Sequence, residues 1–365
     1  MTEGSDETGE PVLACVDDYE RRAEELLPRM VFDYYAGGAG DEWTLRENRA
    51  AFSRWALRPR VLVDVSSRDL STTVLGARVA LPILVAPTAI HRMAHPDGEV
   101  ATARAAATAE TVMSLSTLAS ATIEEVAEAA PEGARWFQLY VHRDRGLTED
   151  LVARAVAAGY RAIVLTVDTP MLGIRDRDTR NRYTTPEGVT MANLATRLPE
   201  VEGSGLFAYM AERHEAGLSW ADLEWLRSLF DLPLVLKGVM TREDARMAVD
   251  HGVDAIVVSN HGGRQLDGVL PTLEALPEVV EGADARLEVF LDGGIRRGSH
   301  VLKAIALGAR AVLVGRPVLW GLAVAGEAGV AAVLEILRAE LDNALAIAGC
   351  PRVSDVEASL VVRRA

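Results

Sequence analysis

The stretch Ala255-Ile-Val-Val-Ser-Asn-His-Gly-Gly-Arg-Gln-Leu-Asp267 opens as a short apolar, β-branched run and breaks off at polar residues and two glycines. That pattern describes a strand buried on both faces, ending in a tight turn. Gly262 and Gly263 let the backbone turn and approach a ligand closely. They separate His261, whose imidazole takes a proton near neutral pH, from Arg264, whose guanidinium grips a carboxylate through two parallel hydrogen bonds. The pair suits an enzyme acting on a small organic acid. A loop with a helix-capping histidine and a surface arginine is the plainer alternative.

Outward from this run the same motif recurs. Strand-like segments stand at Ile83-Leu-Val-Ala86, Val112-Met-Ser-Leu115, Trp136-Phe-Gln-Leu-Tyr140, Ala162-Ile-Val-Leu-Thr-Val167, Leu234-Val-Leu236, Glu288-Val-Phe-Leu291 and Ala311-Val-Leu-Val314, making eight in all. Amphipathic helical segments separate nearly all of them, at 98–110, 123–129, 147–158, 221–229, 242–250, 273–281 and 299–307, and a last one over 329–348 closes the chain. Strict alternation implies a parallel sheet with right-handed crossovers, and eight such units close into an α/β fold of the (β/α)8 TIM-barrel type. An open doubly wound sheet, the competitor, carries fewer strands and an early glycine-rich dinucleotide fingerprint that the first strand here lacks.

Ahead of the barrel, residues 16–36 read as helix broken by Pro28, followed by a second helix over 44–53 and an extended segment over 58–64. Everything up to about residue 81 reads as an N-terminal helical cover, and no low-complexity linker divides it from the rest. Residues 1–12 are expected to form a disordered acidic tail, leaving 13–365 as one domain. Between Asp168 and Trp220 the chain makes a long polar excursion after the fourth strand, of the sort that acts as a lid or substrate gate.

The composition, 49% hydrophobic and 25% charged over 365 residues, is that of a soluble globular protein. A net charge of −15 disfavours nucleic acid and anionic lipid as partners. Cys15 and Cys350 form neither a disulfide framework nor a zinc site, which fits a reducing cytoplasm. No apolar run reaches membrane-spanning length, and the acidic N-terminus is unlike a secretory signal, so a cytoplasmic protein without membrane attachment is expected. The other histidines, His91, His95, His142, His214, His251 and His300, follow no metal-ligand spacing, and no metal is expected.

In a barrel of this kind the residues just past each strand converge on one face. Here they are Pro87, Thr88 and Ala89; Ser116 and Thr117; Gln138 and Tyr140; Thr166 and Asp168; Lys237; Ser259, His261 and Arg264; Asp292-Gly-Gly-Ile-Arg296; and Gly315-Arg-Pro317. So many polar groups at one end are costly unless they meet partners. The last two sets occupy the place where barrels bind phosphate through backbone amides and a helix N-terminus. Lys237, one of only two lysines, reads equally as a phosphate ligand, a Schiff-base nucleophile or a charge set against a developing anion.

Eight motifs in order carry a resemblance: Phe32-Asp-Tyr-Tyr-Ala-Gly-Gly-Ala, Ala86-Pro-Thr-Ala, Phe137-Gln-Leu-Tyr, Leu165-Thr-Val-Asp-Thr-Pro, Leu236-Lys-Gly, Val258-Ser-Asn-His-Gly-Gly-Arg-Gln-Leu-Asp, Leu291-Asp-Gly-Gly-Ile-Arg-Arg-Gly and Val314-Gly-Arg-Pro. Over nearly its whole length after the tail, the chain resembles the FMN-dependent 2-hydroxy acid oxidases and dehydrogenases, which include glycolate oxidase, lactate oxidase and mandelate dehydrogenase. The resemblance implies that Pro87, Thr88, Ala89, Ser116, Gln138, Thr166 and Ser259 line the flavin of FMN. It assigns the ribityl phosphate to Asp292, Gly294, Arg296, Gly315 and Arg316, and places Lys237 near the N1 and O2 edge of the ring, where a cation favours the reduced flavin. By the same resemblance Arg175, on the long excursion, and Arg264 grip the substrate carboxylate with Tyr34, Tyr140 contacts the substrate hydroxyl, His261 is the general base, and Asp168 orients and charge-stabilises its imidazolium. Arg177, Arg180 and Arg182 beside Arg175 are expected on a solvated or interface face.

Leu118 departs from the pattern, since glycolate oxidases carry an aromatic residue there; a roomier apolar pocket and a substrate larger than glycolate follow, such as lactate, a longer aliphatic or an aromatic 2-hydroxy acid. His91 and Met93 are further residues expected to shape the pocket. With no haem domain ahead of the barrel and a polar excursion, dioxygen is the expected acceptor, giving hydrogen peroxide. A dehydrogenase using another acceptor and a decarboxylating monooxygenase are the alternatives, with an FMN-dependent isomerase or a catalytically silent scaffold further off. The resemblance also implies a homotetramer.

Overall fold

The computed structural model describes residues 12–195 and 213–364. Most of the expected acidic tail, residues 1–11, lies outside the described residues, as do 196–212 of the excursion expected to act as a lid and residue 365.

Three helices, α1 (Val16–Leu26), α2 (Arg29–Ala36) and α3 (Trp43–Ala50), precede a short strand β1 (Trp55–Leu57) and a hairpin of β2 (Thr72–Val74) and β3 (Ala77–Val79). Eight parallel strands follow: β4 (Ile83–Val85), β5 (Met113–Ser116), β6 (Arg135–Leu139), β7 (Ile163–Thr166), β8 (Leu234–Val239), β9 (Ala255–Val258), β10 (Glu288–Asp292) and β11 (Ala311–Val314). They close on themselves in chain order, with β11 pairing β4. Every residue of β4, β5, β6, β7, β9 and β11 is buried, because helices cover the outside of the wall and side chains fill the inside. These are the eight runs picked out in the sequence.

The covering helices are α4 (Gly98–Thr108), α5 (Ile123–Ala129), α6 (Arg145–Ala157), α7 (Asp176–Arg180), α8 (Asp222–Arg227), α9 (Arg242–Asp250), α10 (Thr272–Ala283), α11 (Gly298–Ala306) and α12 (Arg316–Ala348). Side-chain oxygens of Thr122, Asp144 and Thr241 accept the free backbone N–H groups at the starts of α5, α6 and α9. A last strand, β12 (Val361–Arg363), returns to pair with β1. That pairing corrects one expectation: the extended element is Trp55–Leu57, whereas residues 58–64 form an exposed loop.

Two further elements differ from expectation. The β2–β3 hairpin turns at Leu75 and Gly76, both left-handed, and sets Val74 and Val79 against Leu84, Trp136 and Phe290 inside the barrel. The Leu75 N–H donates to Glu288 at the start of β10, so the hairpin plugs the end of the barrel opposite the chemistry. The final helix begins at Arg316, well before residue 329, and by length and composition it is apolar enough to cross a bilayer. It breaks at Ala325 and Gly326, and its two parts meet where Gly321 faces Gly329 so closely that a Cβ on either would strike backbone. Its apolar face, including Trp320, Leu334 and Leu341, lies buried in the core, and α1 and α4 pack on it.

Candidate active site

The C-terminal ends of the strands open into one cavity of about 1090 Å³, its mouth included. Tyr34, Pro87, Thr88, Ala89, Ser116, Gln138, Tyr140, Thr166, Arg175, Lys237, His261, Arg264, Asp292, Gly294, Arg296, Gly315 and Arg316 all line it. Asp168 and Ser259 stand one layer behind, Asp168 against His261 and Ser259 against Lys237. Ser259 is thus a support for the wall and not, as the resemblance suggested, part of it: its Oγ donates to Asp292 and accepts from Lys237 and from the His261 N–H.

His261, Gly262 and Gly263 are three consecutive left-handed residues, with φ of +57°, +64° and +75°. For a histidine this conformation is strained and persists only where surrounding contacts fix it. The strain turns the imidazole back over the strand ends, where Nδ1 lies 2.9 Å from the Asp168 carboxylate and Nε2 is left for the cavity. Burial, opposed by Asp168, holds His261 below the ordinary histidine value, with Lys237 and Arg175 adding to the effect, so the ring is neutral at pH 7. For Asp168 burial works upward, but His261 and Lys237 outweigh it and keep the carboxyl ionised.

Facing the histidine are two cations. Arg175 is only 5% exposed, and its ion-pair partner, Asp178, stands 3.9 Å away. Burial and then neighbouring Arg264 push its guanidinium down to about 10. Arg264 donates through Nη1 to the carbonyls of Tyr34 and Gly37 at the C-terminal end of α2, the negative end of that helix, and lies over the Tyr34 ring at 5.1 Å. A buried guanidinium and a half-buried one, with one carboxylate 3.9 Å from Arg175 to offset them, form a site for an anion. Tyr34 is held by stacking on Tyr183 at 4.5 Å, and burial, then Asp168, keeps the Tyr140 phenol protonated.

Behind the His261 turn Lys237 Nζ is 3.4 Å from Asp292 and 3.1 Å from Ser259 Oγ. Burial disfavours its charge, but Asp292 and Asp168 prevail and raise its pKa. A lysine kept charged in this way does not serve as a Schiff-base nucleophile. Three buried polar atoms of cavity residues lack a hydrogen-bond partner, Gln138 Nε2, Asp292 Oδ1 and Arg296 Nε, the last standing 3.7 Å from the Glu20 carboxylate. A donor, an acceptor and a second donor suit a ring carbonyl, a polyol hydroxyl and a phosphate, the three parts of FMN, so the residues present fit that cofactor. The unpartnered oxygen of Asp292 is an acceptor, which would suit a ribityl hydroxyl better than a phosphate. Arg316 is also used differently from expectation: it donates to the carbonyls of Tyr35, Gly37 and Gly262. To a phosphate it offers mainly its charge, at the N-terminus of α12.

A model of the FMN-dependent dehydrogenase family matches residues 23–363. The chain belongs to that family. It is 55% identical over 352 residues to the L-lactate oxidase of Nostoc sp., covering 94% of this chain and 96% of that protein. It is 53% identical over 358 residues to 2-hydroxyacid oxidase 1 of Homo sapiens, covering 96% and 97% respectively. Among solved structures, the crystal structure of mandelate oxidase superimposes with a TM-score of 0.89 at 46% identity, covering 94% of this chain and 97% of that one.

Other residues of this family member reach the site without having been singled out in the sequence. Tyr35, whose hydroxyl donates to the Ile90 carbonyl at 2.6 Å, lines the cavity with Leu172, Ile295 and Leu319. Apolar side chains on loops carry no chemical signature, although Leu172 lies three residues before Arg175. His91, expected to shape the pocket, and His214, set aside in the sequence, stand directly behind the wall. His91 Nε2 meets the Thr88 hydroxyl while its Nδ1 meets Thr102, and His214 packs edge-on against Tyr140 at 5.5 Å. Met93 contacts the Tyr183 hydroxyl, so it reaches Tyr34 only through Tyr183. Of the arginines near Arg175, Arg177 bridges Asp33 and Glu42, tying the described start of the excursion to the helical cover.

Proposed function

We propose that the chain oxidises L-2-hydroxy acids with side chains larger than that of glycolate to 2-oxo acids, and passes the electrons to dioxygen to give hydrogen peroxide. One observation carries this reading: an imidazole backed by the Asp168 carboxylate at 2.9 Å shares one cavity with two guanidinium groups, and the carboxylate paired with Arg175 stands 3.9 Å away. Arg175 and Arg264 bind the substrate carboxylate, and the Tyr140 hydroxyl donates to the substrate hydroxyl oxygen. His261 takes a proton at Nε2, because Nδ1 is engaged by Asp168. The charge that then appears on the ring lies beside the Asp168 carboxylate, which lowers the cost of forming it. Thr88, Ala89, Ser116, Gln138 and Thr166 would hold the flavin ring, and Gly294, Arg296, Gly315 and Arg316 the phosphate. FMN, when bound, supplies the two-electron acceptor.

Leu118 and Leu172 support the larger substrate, since both present aliphatic side chains to the cavity. Dioxygen as acceptor is supported by relatives named as oxidases. Measuring kcat/KM for glycolate, lactate, 2-hydroxyoctanoate and mandelate, with peroxide yield per turnover, tests both parts. A clear glycolate preference removes the claim about size. Fast dye reduction under nitrogen with negligible peroxide in air points to a dehydrogenase, and stoichiometric carbon dioxide release to a decarboxylating monooxygenase. The exposed apolar residues Val61 and Leu62 support the homotetramer that the family resemblance implies, and a monomeric mass by light scattering would remove it.

A further inference from the structure

The strained turn at His261 has to be fixed by its surroundings, and one contact that reaches it from far along the chain is an amide pair. Asn48, in the last turn of α3, and Asn260, immediately before His261, are both buried and hydrogen-bond each other reciprocally. Asn48 Nδ2 donates to Asn260 Oδ1 at 2.8 Å, and Asn260 Nδ2 donates to Asn48 Oδ1 at 2.9 Å. Asn260 Oδ1 also accepts the Gly263 N–H at 3.1 Å and so closes the left-handed turn, while Asn260 Nδ2 donates to the Leu270 carbonyl. Asn48 Oδ1 also accepts the Thr272 N–H, and the Thr272 hydroxyl donates to the Asp292 carbonyl.

Asn48 also meets the loop after β10. A Cβ on Gly294 would lie 2.0 Å from the Asn48 carbonyl oxygen, and one on Gly293 would lie 3.3 Å from Asn48 Nδ2. Asn48 therefore braces the turn carrying His261 through its side chain, and the turn leading to Arg296 through its backbone carbonyl, through Nδ2 beside Gly293 and through Thr272. The helix that presents it is itself held by the His261 loop. Glu42 gives α3 no side-chain cap, and Asp267 accepts the N–H groups of Trp43 and Thr44 instead.

We propose that Asn48 is a positioning residue which holds the His261 turn and the Gly293–Gly294 turn in register, so that the base and the cofactor's phosphate cradle are set by one amide. The consequence for turnover rests on the role given to His261 above; the consequences for the backbone and for FMN affinity do not. The test compares the wild type with Asn48→Ala and Asn48→Asp. The aspartate keeps the acceptor but sets an oxygen against Asn260 Oδ1, and it serves if the alanine variant fails to fold.

Three readouts apply: amide hydrogen exchange of the FMN-free proteins, FMN affinity by fluorescence, and kcat and KM at saturating FMN. The expected result is faster exchange confined to peptides covering 260–264 and 293–296, with FMN binding weakened about tenfold, the scale of a buried hydrogen bond lost with its partner left unsatisfied. With FMN saturating, kcat falls at least about tenfold while KM changes less than about threefold, because Arg175 is untouched and the Arg264 guanidinium stays anchored on the carbonyls of Tyr34 and Gly37. Unchanged exchange at 260–264, acceleration spread over the whole barrel, or FMN affinity within about twofold of wild type overturns the proposal. A wild type that binds FMN but oxidises no 2-hydroxy acid overturns the functional reading and leaves the exchange and affinity results to judge Asn48.

Discussion

Replacing Asp168 by asparagine isolates the electrostatic half of the His261 pair. The carboxylate oxygen and Nδ1 are 2.9 Å apart, and Asp168 is buried with its second oxygen unpartnered, so water does little to screen the interaction. Taking about 4 Å between charge centres and an effective dielectric constant of about 20, the carboxylate stabilises an imidazolium by roughly 4 kcal/mol. Asparagine keeps the size and loses the charge. The step in which His261 takes a proton is therefore expected to slow by about a thousandfold, since each 1.4 kcal/mol is about tenfold. An asparagine that turns its amide nitrogen toward Nδ1 would slow it further, by forcing the ring proton onto Nε2. Anaerobic stopped-flow reduction of the FMN-loaded variant measures this step directly. Because Arg175 and Arg264 hold the carboxylate, the apparent substrate affinity is expected to stay within a few-fold. A loss in the reduction rate below about tenfold, or a loss confined to affinity, would refute the assignment of Asp168.

Arg175→Met removes the more deeply buried guanidinium and is expected to raise the substrate Kd by about a hundredfold, the scale of a charge-assisted hydrogen bond, while FMN affinity stays unchanged; a substrate titration of the reduction rate checks it. Leu118→Trp fills the space beside Ser116 and is expected to shift the kcat/KM ratio toward glycolate and away from 2-hydroxyoctanoate by at least about tenfold; an unchanged ratio would show that Leu118 does not set the pocket size. His142 and His300 are both pushed down to about 4, mainly by burial. The unfolded chain binds their protons near pH 6.5 and the native state does not, so stability is expected to fall as pH drops from about 6.5 to about 4, by roughly 3 kcal/mol for each histidine. Urea midpoints measured across that range test the sign, and a midpoint that rises toward pH 4 would contradict it.

The barrel was legible because each of its strands contains short apolar, often β-branched stretches, a pattern that burial on both faces imposes without help from distant residues. The hairpin over 72–79 was missed because its strands are only three residues long and Leu75-Gly76 is not one of the usual hairpin-turn dipeptides. The early start of α12 was hidden by Pro317, Gly321 and Gly326, which read as breakers; proline is well tolerated in a first turn, and the glycines serve the close contact at the kink. In the site, charged and titratable residues at strand ends were legible because the fold dictates where such ends meet. What the sequence could not give was which polar groups satisfy one another. The linkage of Asn48 to Asn260 spans 212 positions, the capping of α3 by Asp267 spans more than 220, and no local periodicity encodes either. The same limit explains Arg316, whose hydrogen bonds go to backbone carbonyls that only the folded cover brings within reach.

The most direct test of the central claim, that one cavity joins a neutral His261, two guanidinium groups and FMN for the oxidation of a 2-hydroxy acid, is the visible spectrum of the purified, FMN-loaded protein titrated without oxygen. The account predicts a yellow protein that bleaches on adding lactate or a longer 2-hydroxy acid and regains its colour on admitting air, with one peroxide formed per bleached flavin. A protein that stays yellow with every 2-hydroxy acid tried, or one that binds no FMN, would contradict it.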